Sequence, residues 1–481
     1  MYKNLDRYAK LLAKKIRDNE FAVFAGAGLS AGAGFVNWGE LLKPFAEDLG
    51  LNIRKESDNL VRLAQYSVNE KGGHRHHLDD ALVKSFPVMA RPGINHEILA
   101  SMPINTYWTT NYDALIETAL ADKRKVRDVK WKDEHLPTSS SRRDAIVYKM
   151  HGDVGSPTEA VLTRDDYESF ASKRPGIINA LLGDLTVKTF LFVGFSFSDP
   201  NLDHVLSVIR QRYAKGQREH YCILRVVNKQ DYENDSDYVY DLARQKFLIG
   251  DLKRFNITAI LINEFAEITE LLQLIHQYSR RDAVFVSGSV VDWTPWGEDE
   301  VNKFIASIGR FVVEKKGKVV SGLGVGVGNT IVAGAVEKAY SDGVANLSSY
   351  LEVRPFPQTV SEKGDRDKIW EAYRLELVRA AGIAVFIFGN KLSEDGTVVL
   401  ADGMIKEFDL AIENGLAVVP IGGTGSAARE LVNRALGEPR NSFKENESYR
   451  NLINAMNVDK PNLTDYLSDL FKLLGLLMVT R

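Results

Sequence analysis

The sequence predicts an α/β protein built from two parallel sheets in succession. Three observations carry this expectation. Six short apolar runs fall in the first 280 residues, separated by longer stretches of helical periodicity. Those runs are apolar at successive positions, as strands covered on both faces are. After residue 282 the strand-then-helix pattern begins again, and 481 residues exceed what one hydrophobic core organises.

In chain order, residues 4–19 place Leu5, Tyr8, Leu11, Leu12, Lys15 and Ile16 on one helix face. The apolar runs follow at 21–25, 104–109, 145–150, 190–195, 221–226 and 257–262. A helical stretch at 268–278 ends in the charged residues 279–282. This predicts a boundary near residue 281, with one domain over 1–281 and a smaller one over 282–481. In the second domain, strands are expected at 283–289, at the start of 318–328, and at 351–353, 383–388 and 417–421. The apolar residues 463–478 predict a last helix, packed in a core or an interface.

Composition excludes several classes. Hydrophobic residues make up 44% and charged residues 26%, as in ordinary globular chains. A net charge of −3 gives no strong field for nucleic acid or an anionic membrane. No apolar run approaches the roughly 18 residues that span a bilayer. The first 20 residues are amphipathic and lack the apolar core of a secretory signal. Cys222 is the only cysteine, which excludes a disulfide framework and a cysteine zinc site. The histidines of HRHH at 74–77 read as solvated or interfacial, and SSSRRD at 139–144 as a mobile loop. A cytoplasmic protein with small-molecule partners, no nucleic acid, no membrane and no metal is expected.

In parallel sheets ligands bind beyond the C-terminal ends of the strands. The first run leads into FAVFAGAGLSAGAGF, residues 21–35, where Gly26-x-Gly28-x-x-Ala31 satisfies the relaxed dinucleotide fingerprint of Rossmann folds. Small residues let backbone approach a pyrophosphate, but the same pattern serves a tight turn demanded by packing. A dehydrogenase also wants an acidic residue about 20 positions on. Glu47 and Asp48 stand there, inside residues 38–49, which read as helix. Three further strand ends bear compact polar groups: TTNYD at 109–113, His151-Gly152-Asp153, and GFSFSDPNL at 194–202. Asn111 also fits a helix N-cap, His151 a satisfied interior histidine, and Asp199 the cap of the next helix.

In the second domain Gly288 and Ser289, then Gly322, Leu323 and Gly324, follow strands as nucleotide-binding or merely tight turns. Arg374 flanks the apolar stripe of a helix at 367–381, Lys391 follows the strand at 383–388, and Glu407 opens a helix at 403–414. Two cations and a carboxylate near glycine turns suit phosphates and ribose hydroxyls, although each also suits a solvated surface.

The order GAGLS, TTNYD, HG resembles the sirtuin family over roughly the first 280 residues. That resemblance implies a Rossmann-like sheet with NAD bound as substrate rather than cofactor. Asn111 would hold the nicotinamide ribose and His151 would be the general base. Gly26, Ala27, Gly28 and Ser30 would cradle the pyrophosphate, with Asp113 and Gly194 also at the NAD site and Ser196 on the adenosine side. The chain lacks the four zinc-ribbon cysteines of deacetylases, and AGAGFVNWGEL replaces their P-D-F-R segment. Water is then the expected acceptor, and NAD hydrolysis to nicotinamide and ADP-ribose the expected reaction. Protein deacylation or ADP-ribosyl transfer is the other reading.

The second domain resembles the SLOG family, with PIGGTGSAARE at 420–430 against its P-G-G-x-G-T-x-x-E signature. The inserted isoleucine and displaced glutamate point to ligand sensing rather than hydrolysis. A sirtuin-like half followed by SLOG resembles the two-domain effectors of Thoeris antiphage defence. That resemblance implies a homotetramer activated by a cyclic ADP-ribose isomer. The isomer would bind at Arg374, Lys391 and Glu407, matching the Y-R, G-N-K and K-E-F motifs. A partner with a TIR domain would make the signal without direct contact being required.

Overall fold

The computed structural model describes residues 2–35, 38–56, 59–86, 90–213, 216–357 and 363–478. The chain divides into two compact units, Met1–His276 and Gln277–Arg481. The division falls within the helix Ala266–Ser279, before the strand pattern restarts at Ala283.

The first unit holds a parallel sheet of β1 (Phe21–Ala25), β2 (Thr106–Thr109), β3 (Arg127–Lys130), β4 (Ala145–Lys149), β5 (Thr189–Val193), β6 (His220–Arg225) and β7 (Ile257–Ile262). Their order is β3-β4-β2-β1-β5-β6-β7. β1 is buried at every position, pairing with β2 on one side and β5 on the other. The chain therefore builds outward first on one side of β1 and then on the other. The crevice at that switch lies at the C-terminal end of β1, where GAGLS begins. Hydropathy does not mark β3: RDVK is a polar edge strand with an exposed start.

Between β1 and β2 the helices Trp38–Asp48, Leu60–Glu70 and His76–Ser85 form a cluster with its own core. Leu42, Ala46, Leu63 and Leu82 fill it, and Tyr112 and Leu115 reach into it from beyond β2. Arg75 ties this cluster to the rest of the unit. Its guanidinium meets Asp79 at 2.9 Å, Asp166 at 3.1 Å and the Ala160 carbonyl at 3.0 Å. Within HRHH, His74 and His76 are exposed, while His77 Nε2 lies 2.8 Å from Ser67 Oγ and its ring packs on Phe45. Residues 139–144 are exposed and irregular.

The second unit has β8 (Ala283–Ser289), β9 (Lys318–Ser321), β10 (Leu351–Val353), β11 (Ile383–Phe388), β12 (Asn390–Leu392), β13 (Val398–Leu400) and β14 (Ala417–Pro420). Five of these form a parallel sheet, β10-β9-β8-β11-β14, again with the first strand at its switch. β12 and β13 make a short antiparallel hairpin whose exposed residues carried no signal in the sequence. The helices Glu298–Glu314 and Gly328–Ser341 approach so closely that a Cβ on Gly334 would lie 2.2 Å from the Ala306 carbonyl. The final apolar stretch is a 3-10 turn, Leu463–Tyr466, then a helix, Leu467–Leu477, with Leu470, Leu473 and Leu474 in the core. Among the described residues no helix is long and apolar enough to cross a membrane.

His220 at the start of β6 is buried, and its Nδ1 accepts a hydrogen bond from the Phe190 amide at 3.1 Å. Burial, helped by Arg218, pushes its pKa from 6.5 down to about 3. Between those two values the unfolded chain holds one proton more than the folded chain. Stability from this group therefore falls as pH drops through that window, by up to about 1.4 kcal/mol per pH unit. Urea midpoints are expected to fall more steeply from pH 6.5 to 4.5 for the unmodified chain than for His220→Gln. Parallel slopes would assign the acid sensitivity to other groups.

Candidate active site

A cavity of about 710 Å³ opens at the C-terminal ends of β1, β2 and β5, within the size range of nucleotide pockets. Ala27, Gly28 and Ser30 line it from the glycine turn, Asn111 and Asp113 from beyond β2, and His151 from beyond β4. Gly194, Ser196 and Asp199 line it from beyond β5. Phe35, Trp38, Leu60, Val61 and Phe86 of the helical cluster supply an apolar wall. Leu224, Arg225 and Phe265 lie at the β6–β7 side. There Asp231 holds Arg225, with contacts of 2.5 and 3.2 Å, and the guanidinium sits 5.3 Å from the Phe265 ring.

The glycines have a packing reason of their own. The Gly26 amide donates to the Val193 carbonyl and the Gly28 amide to the Gly194 carbonyl, each at 2.9 Å. A Cβ on Gly26 would lie 2.3 Å from the Gly194 carbonyl oxygen, and one on Gly194 would lie 2.2 Å from the Leu29 amide. Gly194 also has φ +64. Both peptide groups are engaged within the protein, so close backbone packing requires these residues whatever the ligand. Gly26 does not line the cavity; its carbonyl accepts from Asn111. Gly34 ends the short turn Ala31–Ala33 with φ +84. Val36 and Asn37, within the stretch AGAGFVNWGEL, lie outside the described residues.

Asn111 is not a helix cap. The next helix, Leu115–Asp122, starts after Ala114, and its Leu115 amide is taken by Asp113 Oδ1 at 3.0 Å. Asn111 Nδ2 donates instead to the Gly26 carbonyl at 3.1 Å and to Ser30 Oγ at 3.0 Å. Ser30 Oγ in turn donates to Asp113 Oδ2 at 2.8 Å. Thr109 Oγ1 closes the chain, donating to the Ala25 carbonyl and accepting the Asn111 amide, both at 2.9 Å. With both amide protons engaged, the Asn111 oxygen is the group left to meet a substrate.

His151 is buried at the cavity rather than enclosed in the core. Nδ1 lies 3.5 Å from the Tyr167 hydroxyl, and Nε2 lies 3.0 Å from Asp199 Oδ2 without an aligned hydrogen bond. Asp199 does cap the helix Pro200–Tyr213, accepting the Leu202 amide at 2.9 Å with Oδ1. Its second oxygen does more than capping requires. Burial opposes its charge, but His151 and the Leu202 and Asn201 amides outweigh that and hold its pKa below the usual carboxylate value. Burial, then Asp199, keep the Tyr167 phenol protonated. Tyr167 has no local signature, because only folding brings its helix to His151.

Lys149, the last residue of β4, is a second feature the sequence did not reveal. Its side chain is fully buried, and Nζ donates to the carbonyls of Tyr112 at 3.1 Å and Asp113 at 2.6 Å. It also pairs with Glu117 at 3.1 Å and with Asp153. One ammonium thus joins the Asn111 loop to the His151 loop. Burial works against its charge, but Glu117 and Asp153 prevail and its pKa is raised.

In the second unit Glu407 is buried. Ser287 Oγ donates to its Oε2 at 2.6 Å, and Arg374 Nε lies 3.6 Å from Oε1. Burial raises the Glu407 pKa against the pull of Ser287 and Arg374. The Arg374 guanidinium also lies over Phe356 and Trp370, at 5.3 and 5.6 Å. Lys391 is half-exposed on the hairpin and pairs with Asp402. A Cβ on the next residue, Gly403, would lie 3.0 Å from the Arg374 guanidinium, so these groups share one corner. Ser289 Oγ donates to the Asn390 carbonyl at 2.8 Å. A Cβ on Gly324 would lie 2.2 Å from the Gly288 carbonyl, one on Gly322 would lie 2.7 Å from the Phe356 ring, and Leu323 has φ +57. A separate cleft of about 680 Å³ beside Asn390, Thr424 and Arg429 is lined by none of Arg374, Lys391 or Glu407.

Two parallel α/β units in succession, the first with a cavity at the switch end of its first strand, are a SIR2-like unit followed by a SLOG unit. Residues 105–243 match the SIR2-like domain, and residues 267–476 match the Sir2- and TIR-associating SLOG family. The NAD(+) hydrolase ThsA of Acinetobacter baumannii is 44% identical over 474 residues, covering 96% of this chain and 98% of the relative. The protein of the same name from Bacillus cereus is 43% identical, covering 89% of each chain. Defense-associated sirtuin 2 of Bacillus subtilis is 29% identical over 216 residues, 43% of this chain and 21% of that protein. The chain belongs to the ThsA family.

Lys149→Met would leave Glu117 and Asp153 without their shared cation. It is expected to destabilise the first unit by about 3–5 kcal/mol, the cost of removing one partner from a buried ion pair. Urea unfolding checks this, and a loss below about 1 kcal/mol would mean that the buried charges relax to other partners.

Proposed function

We propose that this chain hydrolyses NAD+ to nicotinamide and ADP-ribose, with NAD+ as substrate and no resident cofactor. The observation that carries this reading is the convergence of Asn111 and His151 on one nucleotide-sized cavity, in a chain whose relatives are named NAD(+) hydrolases. The glycosidic C–N bond breaks with its electron pair going to nicotinamide, which leaves neutral. The ribose carbon becomes oxocarbenium-like. The Asn111 oxygen orients the ribose hydroxyls, and His151 takes the proton of the water that attacks. Ala27, Gly28, Ser30 and Gly194 lie along the phosphates and Ser196 toward the adenosine. Tyr167 and the apolar wall limit bulk water around the cation.

The second unit, in this reading, binds a cyclic ADP-ribose isomer through Arg374, Lys391 and Glu407, beside the turns at Gly288–Ser289 and Gly322–Gly324. A TIR-domain partner supplies the signal, the assembled form is a homotetramer, and the outcome is cytoplasmic NAD+ depletion in antiphage defence. Activation requires the signal to favour the active arrangement over the resting one.

Nicotinamide release from NAD+ by the full chain, with each cyclic ADP-ribose isomer added in turn, tests the reading. His151→Ala and Asn111→Ala are each expected to lower turnover by about 100-fold or more, the scale of a lost general base. Equal release by both variants would remove the site assignment. Arg374→Ala is expected to abolish activation while the first unit stays folded. Turnover indifferent to both the signal and this substitution would remove the sensor.

A further inference from the structure

We propose that Asp199 is a positioning residue for hydrolysis. Its carboxylate holds the His151 ring through Nε2 and stabilises the imidazolium formed when Nδ1 takes the proton of the attacking water. This rests on His151 being the base.

Three observations carry it. Asp199 Oδ1 caps the helix, accepting the Leu202 amide at 2.9 Å. Asp199 Oδ2 lies 3.0 Å from His151 Nε2, with both side chains almost fully buried. A carboxylate brought this far into the protein beyond capping needs stands beside the one ring that must gain charge. The contact is unaligned without substrate, and catalytic hydrogen bonds commonly tighten only when the complex forms.

Among the other groups around the ring, only a neutral phenol shares the Asp199 oxygen. Tyr167 and Phe170 face it from the helix Arg164–Lys173, and the Tyr167 hydroxyl lies 3.5 Å from Nδ1 and donates to Asp199 Oδ2 at 3.4 Å, which fixes the carboxylate beside the ring. The nearby charges are engaged elsewhere. Arg174 donates to the carbonyls of Met150 and Glu159. Asp166 pairs with Arg75, and Lys149 with Glu117 and Asp153. In the reaction the proton moves from water to Nδ1, the Nε2 proton stays on the ring directed at Asp199, and the carboxylate remains ionised throughout. This follows the arrangement in which a buried carboxylate fixes a histidine's tautomer without taking its proton.

The test is Asp199→Asn in the full chain, which keeps the oxygen for the Leu202 amide and removes the charge. Nicotinamide release is followed from pH 5 to 9 with each cyclic ADP-ribose isomer. We expect kcat to fall tenfold or more, KM to stay within threefold, and the acidic limb of the kcat profile to move to lower pH. Loss of a structural cap alone would not move that limb. An unchanged limb with kcat within twofold overturns the proposal. If Asp199→Asn does not fold, Asp199→Ser keeps a capping oxygen and is read in the same way; failure of both to fold makes Asp199 a structural cap and also overturns it. His151→Ala separates the two ideas. An active His151→Ala removes the base assignment and this proposal together, whereas an inactive one beside an unaltered Asp199→Asn removes only the role of Asp199.

Discussion

The first unit depends on a backbone-to-backbone closure between the turn after β1 and the turn after β5. The Gly26 and Gly28 amides donate to Val193 and Gly194, at separations where any Cβ on Gly26, Gly28 or Gly194 would overlap backbone. This closure places the Gly26 carbonyl and Ser30 Oγ where they take both protons of the Asn111 amide. It also sends residues 195–199 along the cavity, so that Asp199 arrives at His151. Phe197 in that stretch has φ +58, a costly conformation for a bulky side chain, held by Phe192 and Phe195 at 5.0 and 5.2 Å.

Electrostatics supplies a second layer beneath the closure. Loops from the ends of β1, β2, β4, β5 and β7 reach the cavity, and loops alone would hold its polar groups loosely. Lys149 couples two of them through carbonyls and carboxylates in a place that water does not reach. Arg75 does the same for the helical cluster, meeting Asp166 and the carbonyls that follow the His151 turn. Neither cation needs to touch a substrate. Each ties a loop at the cavity to a paired cation, and fully buried Lys149 in particular limits the freedom of Asn111 and His151 relative to each other.

The two units share a plan and differ in how they use it. Both place the first strand at the centre of a parallel sheet, with a glycine turn after β1 in one and after the neighbouring β9 in the other. In the first unit the turn opens on a cavity with an apolar wall, suited to a dinucleotide whose reacting bond must be shielded from water. In the second, Arg374 lies against buried Glu407 and two aromatic rings. That corner presents charge and flat surface but no counterpart of His151 with a buried carboxylate partner. The same architecture therefore frames two different environments, one an apolar-walled cavity and the other a charged corner.

Much of this was legible in the sequence. Runs of five or six residues located β1, β2, β4, β5, β6 and β7, because strands covered on both faces, β1 and β5 above all, are apolar throughout. The polar motifs after them marked the cavity, because ligands in parallel sheets meet the strand ends. Edge strand β3 and the β12–β13 hairpin went unseen, since exposed pairing needs no hydrophobic pattern. Sequence by itself determined two successive parallel α/β units and the identity of Asn111 and His151 as the polar groups at the first site. Only tertiary structure decided that Asn111 is held by its amide protons, that Asp199 both caps a helix and faces His151, and that Lys149 joins two loops. Those contacts link positions tens of residues apart, and no local propensity or periodicity records which distant groups a folded backbone will bring within hydrogen-bonding distance.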